Sequence, residues 1–158
     1  MKHIIFNDPF NKKKLVLELT FNQQLNIIET LHNNTNIDEK DLEINKEFEK
    51  EIKKKLNSYK SQDKQKNKFD QEQMITYNQI IKKLYDCKLK CYYCNCDIVI
   101  LFNKKREGVQ WTLERLNNNI GHYETNTCIS CLKCNLQRRT DNYEYFKNGK
   151  QLKINIIK

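Results

Sequence analysis

Apolar positions follow a helical period through the first half of the chain and change to alternation in the second. Lys14-Leu15-Val16-Leu17-Glu18-Leu19 reads as a short strand. Thr20 then opens a helix, because its hydroxyl can cap the first turn and Gln23, three residues on, completes a capping-box pattern. Leu25, Ile28 and Leu31 share one face of that helix, which stops at Asn33-Asn34. A second helix is predicted from about Asp38, since Ile44, Phe48, Ile52 and Leu56 recur every four residues beneath a mixed Glu/Lys face. Ser58 to Lys68 is polar apart from Tyr59 and reads as a linker or a frayed helix end. A third helix carries Met74, Tyr77, Ile81 and Leu84 along one side. These stripes are core; nothing in residues 1–86 names a chemistry.

From Cys87 the texture changes. The turn Cys91-Tyr92-Tyr93-Cys94 precedes an apolar run, Ile98 to Phe102, and a basic turn, Lys104-Lys105-Arg106. Val109 to Leu113 alternates as a strand does, with Trp111 expected in a small core. A polar loop through Asn117, Gly121 and His122 leads to a second short strand near Cys128. Leu132, Leu136, Arg139, Tyr143 and Phe146 fit one closing helix, and Leu152, Ile154 and Ile156 alternate like an edge strand. The fold class is therefore α+β: a mainly helical N-terminal extension, residues 1–86, before a cysteine-rich domain, residues 87–158.

Composition narrows this further. One proline and three glycines in 158 residues argue against a loop-rich sandwich. The surplus of Asn, Lys and Ile fits an AT-rich coding sequence, so some lysines carry no function. The net charge of +9 is uneven: residues 87–158 hold thirteen Lys+Arg against six Asp+Glu, and residues 1–86 hold sixteen against fourteen. Positive charge gathered on the cysteine-rich half favours a polyanion through counterion release, whereas ordinary solubility is the plainer account. The opening Met1 to Pro9 lacks the apolar run that export requires, and no stretch approaches a membrane span. A reducing, intracellular setting is expected, with cysteines used for metal.

Two Cys-x-x-Cys pairs, Cys91/Cys94 and Cys131/Cys134, stand 36 residues apart and supply the four thiolates of a tetrahedral zinc. Such a site has no open position, so the zinc is structural. Cys128 offers an alternative pair with Cys131, and Cys87 and Cys96 flank the first pair as spare thiols.

Leu113-Glu114-Arg115-Leu116, Gly121-His122, Asn126 and Cys131-Leu132-Lys133-Cys134-Asn135 together resemble the HNH (His-Me finger) endonucleases. The likeness is to the zinc-containing branch that includes phage endonuclease VII-like resolvases and proteins of large DNA viruses. It covers about residues 88–140. The resemblance implies a ββα-metal, treble-clef-like fold and hydrolysis of DNA phosphodiester bonds, RNA being the other nucleic acid to consider. Glu114 and Asn135 would hold a catalytic Mg²⁺ or Mn²⁺, and Asn126 would orient the loop or the base. Glu114, His122 and Asn135 should then converge on one point, apart from the zinc.

The likeness has departures. Arg115 stands where many members carry the histidine base, and arginine takes up no proton at neutral pH. Glu114 and Asn117 replace aspartates of a second branch. His122, the one imidazole in the cysteine-rich half, becomes the candidate base by elimination; bracing the Gly121 loop is its alternative role. Tyr123 is a weaker base. Arg115, Lys133, Arg138 and Arg139 are candidate phosphate contacts, against ion pairs or a solvated helix face. The competing reading is a catalytically silent zinc module that binds nucleic acid or a protein. Junction-resolving members are dimers, and the N-terminal helices would supply that surface if this chain pairs with itself.

Overall fold

The computed structural model describes residues 19–35 and 39–153. The expected strand over 14–19, His3 and the expected edge strand beyond Lys153 lie outside the described residues apart from Leu19, Leu152 and Lys153, none of which is in a strand.

Helix α1, Phe21–Asn33, begins at the predicted capping box: Thr20 Oγ1 accepts from Gln23 N at 3.3 Å and Thr20 N donates to Gln23 Oε1 at 2.7 Å. It ends where Asn34 turns left-handed at φ 50°, a conformation asparagine tolerates. Helix α2, Glu39–Gln65, runs straight through the segment expected to be a linker. Ser58 to Gln65 contains no glycine or proline and is rich in Lys and Gln, both good helix formers. Helix α3, Tyr77–Asp86, starts at a second capping box, Thr76 with Gln79. Met74 lies ahead of it, bridged to Tyr123.

Strands β1, Trp111–Arg115, and β2, Thr127–Cys131, pair antiparallel from Trp111↔Cys131 to Arg115↔Thr127. Helix α4, Leu132–Arg138, follows β2 without a loop, Cys131 serving as its N-cap. The closing helix is two helices. Arg139 adopts φ 52°, and Asn142 caps helix α5, Tyr143–Gln151, by accepting from Glu144 N and Tyr145 N.

The core crosses residue 86 without a break. Ile28, Phe48, Ile52 and Leu84 belong to the same buried cluster as Ile98, Trp111, Leu113, Ile129 and Cys131. Gln24 Oε1 accepts from Ile100 N at 2.8 Å and Leu101 N at 3.3 Å, tying α1 to the apolar run. The described residues up to Asp86 thus share one buried cluster with the cysteine-rich half.

A two-stranded sheet leaves two edges needing partners. Helix α2 covers the free edge of β1 with residues one turn apart: Lys55 Nζ donates to Trp111 O, and Leu113 N donates to Tyr59 Oη at 3.0 Å. Ile129 O of β2 accepts from Tyr92 N at 2.9 Å, and Thr127 O from Lys83 Nζ at 3.0 Å. No helix among the described residues is long and apolar enough to cross a membrane.

Candidate functional site

Local backbone bonding gathers the thiols. Cys91 N donates to Cys96 O at 2.9 Å and Asn95 N to Cys91 O at 3.0 Å, while Asn95 turns left-handed at φ 59°. This folds 91–96 into a turn that carries Cys91, Cys94 and Cys96 on one side. The junction of β2 and α4 delivers Cys131. The Sγ atoms of Cys91, Cys94, Cys96 and Cys131 all lie within 4.8 Å of one another. Zinc bound at ~2.3 Å in a tetrahedron sets its sulfurs roughly 3.8 Å apart. Cys94 and Cys131 stand 3.9 Å apart, so little movement separates this cluster from a ligand shell.

The expected set was Cys91, Cys94, Cys131 and Cys134. Three of these are in the four-thiol group, Cys96 is the fourth, and Cys134 sits beside them with its N–H 3.4 Å from Cys131 Sγ. Cys91 Sγ accepts from Cys131 N at 3.3 Å. Contact with Cys131 and then burial push the Cys91 thiol up to about 12, and burial raises Cys96 and Cys134. Thiols so reluctant to ionise give up their protons to a thiophilic cation. The donor set therefore fits zinc or a similar metal, closed to water by a full shell of sulfur. All seven cysteines are free. Cys87 donates to Leu84 O and Cys128 faces Glu114 across the strand pair, and neither is in the cluster.

His122 has the partner that sequence reasoning missed. Asp63, on the last turn of α2, faces the ring with Oδ1 2.8 Å from Nδ1 and accepts the His122 backbone N–H on Oδ2 at 2.7 Å. Tyr59, one turn earlier, stacks on the imidazole with centroids 4.6 Å apart. His122 is 3% exposed and Asp63 fully buried. Burial lowers the His122 pKa, Asp63 opposes that, and Arg115 and Lys66 lower it further. Burial therefore favours the neutral ring. With Nδ1–H given to Asp63, Nε2 is the nitrogen free to accept a proton.

Gly121 and Asn126 set the position of this loop. A Cβ on Gly121 would stand 2.4 Å from Lys68 O, so only glycine lets the loop close against the end of α2. Asn126 spans the loop: Oδ1 accepts from Asn117 N at 2.9 Å, and Nδ2 donates to Asn117 O and Gly121 O at 2.9 and 3.0 Å.

Glu114 and Arg138 differ most from expectation. Arg138 is 1% exposed, and its Nε and Nη2 reach Glu114 Oε1 at 2.8 and 2.7 Å. The same guanidinium donates to Asp141 O at 2.6 Å, Arg115 O at 2.5 Å and Asn118 Oδ1 at 3.1 Å. Arg138 is thus an internal brace, corrected from a phosphate contact: no donor is left on a surface. Burial raises the Glu114 pKa, which Arg138 partly offsets. A hard cation at Glu114 would have to displace that guanidinium, so the carboxylate does not fit the catalytic-metal role. Asn135 is half-buried, its Nδ2 on Thr112 Oγ1 at 3.2 Å. Glu114 takes its partner from α4 and His122 from α2, and no hydrogen bond or ion pair joins the two.

The remaining cations are better placed for an anion. Lys133 and Arg139 are exposed, and Arg115 is half-buried with Nη1 near Asn118 O and Ile120 O. Lys104, Lys105 and Arg106 are exposed on a loop held to α4 by Lys133 N donating to Gly108 O. Lys66, exposed beside the Asp63 turn, was not anticipated. No protein-family model, curated protein or solved structure matches this chain.

Proposed function

We propose that the chain is an HNH-type endonuclease that hydrolyses DNA phosphodiester bonds, built as a ββα unit on a structural zinc. The observation that carries the reading is His122, fixed through Nδ1 by Asp63 with Arg115 and Lys66 acting on the same ring. A general base needs a neutral ring, a defined tautomer and an anion brought near it. Burial supplies the first, Asp63 the second, and the two cations the third. The strand–loop–strand–helix order, with Asn126 clamping the loop, supports the same reading. His122 would take the proton of an attacking water at Nε2 as the water oxygen bonds phosphorus and one P–O ester bond breaks, the departing sugar oxygen taking a proton from solvent, while Arg115 and Lys66 hold the phosphate. Arg139 and Lys133 would extend contact along the backbone. A divalent cation, when bound, would stabilise charge on the phosphate; because Glu114 does not fit it, no step here depends on that residue.

The Glu114–Arg138 pair favours a second reading, in which the motif residues have become scaffold and the chain binds nucleic acid without cutting it. Incubating the zinc-loaded protein with supercoiled plasmid and Mg²⁺ or Mn²⁺ separates the two. Nicking is expected under the first. Salt-sensitive binding with intact plasmid would leave only the second.

A further inference from the structure

Tetrahedral zinc takes four sulfurs; four thiols stand in the close group, and a fifth cysteine, Cys134, is buried one turn beyond Cys131. Cys96 belongs to the close group by distance. Cys134 is buried with its N–H on Cys131 Sγ at 3.4 Å. The two arrive from different elements. Cys96 is brought back over Cys91 by the left-handed Asn95 and the bridge between Lys90 and Asp97, whereas Cys134 rides on the first turn of α4. The other three cannot be exchanged so readily. Cys91, Cys94 and Cys131 are in the close group, with Cys91 tied to Cys131 N and Cys94 packed on Cys131.

We infer that Cys91, Cys94 and Cys131 are fixed zinc ligands and that Cys96 and Cys134 share the fourth position. The site then tolerates loss of either sharing thiol. The waiting thiol can also enter as another leaves, giving its proton to the departing thiolate, so the metal need never pass through a three-sulfur state to be exchanged. Such a site is stable yet quick to hand its zinc to a competing ligand, unlike a shell with only four sulfurs.

Cobalt substitution tests the ligand set, because the charge-transfer and visible bands of Co²⁺ distinguish four thiolates from three. Cys134→Ser and Cys96→Ser should each keep the four-thiolate spectrum, and the double variant should lose it. Loss in Cys134→Ser alone removes Cys96 from the shell, and loss in Cys96→Ser alone removes Cys134; either overturns the proposal, as does a double variant that keeps the spectrum. A second measurement avoids any folding defect at the buried Cys134. Zinc transfer from Cys96→Ser to excess chelator should be several-fold slower than from the wild-type chain, since four ligands remain but the entering thiol is gone. Equal or faster transfer would contradict a shared position.

Discussion

Replacing Arg138 with leucine should cost a large share of the chain's stability and little that is specific to nucleic acid. The guanidinium meets Glu114, two backbone carbonyls and Asn118 Oδ1 while 1% exposed, and Glu114 is itself 4% exposed. Removing one partner of such a pair leaves an uncompensated buried charge, a loss of about 3–5 kcal/mol. Net stability of a domain is roughly 5–15 kcal/mol, so the variant is left marginal. At ~2–4 °C per kcal/mol for chains near this size, the midpoint should fall by roughly 6–20 °C. Glu114→Leu combined with Arg138→Leu should recover much of the loss, because no charge is then stranded. The deficit of the single variant should also shrink toward acid pH. A carboxyl whose folded pKa is raised contributes stability below its unfolded value and loses it as pH rises, and losing Arg138 raises Glu114 further. Thermal melts in zinc-saturated buffer at two pH values measure all three effects. A midpoint shift under about 3 °C with lost DNA binding would refute the brace and return Arg138 to the phosphate backbone.

Further outcomes follow from the loop and the metal. Gly121→Ala forces a Cβ to 2.4 Å from Lys68 O and should destabilise by ~1–3 kcal/mol in urea melts; an unchanged midpoint would mean the loop does not close there. Asn126→Ala removes three hydrogen bonds across the loop and should cost roughly 2–4 kcal/mol, read in the same way. His122 has a folded pKa below its ordinary 6.5, so its contribution is present above that value and lost as pH falls toward the lowered one. His122→Gln should therefore flatten the fall in stability between neutral and mildly acid pH, and an identical slope would contradict it. Stripping zinc should unfold the sheet, since structural zinc contributes about 10–16 kcal/mol in small domains. Trp111, paired with Cys131 in register, reports this as a red-shifted emission reversed by added zinc, and a chelated chain that melts as before would deny the metal its role.

Much of this was legible where the cause was local. The Thr20/Gln23 box and the stripe through Phe48, Ile52 and Leu56 depend on neighbours three or four residues apart, and the structure has them. The second box, Thr76 with Gln79, carried the same signal and marks the start of α3. What escaped were contacts made over long separations. Asp63 sits in a polar run, and only the His122 loop, 59 residues on, makes it an inward residue, one turn beyond Lys55 and Tyr59 on the edge of β1. Arg138 looked like a surface cation because its carboxylate lies on a strand 24 residues earlier. Cys96 fell outside the two Cys-x-x-Cys pairs, and the left-handed turn at Asn95 is what returns it to the cluster.

Base catalysis by His122 depends on which ring nitrogen carries the proton. Asp63→Asn keeps the size of the side chain and an oxygen for the His122 backbone N–H, but its amide would donate to Nδ1 and move the ring proton to Nε2. Plasmid cleavage by zinc-loaded Asp63→Asn, followed across pH at a concentration where wild type cuts, tests this directly. The predicted result is a rate lower by roughly 10²–10⁴-fold with the thermal midpoint largely retained and the His122 limb of the pH profile displaced. Wild-type rate and profile in the folded variant would contradict the assignment of His122 as the base.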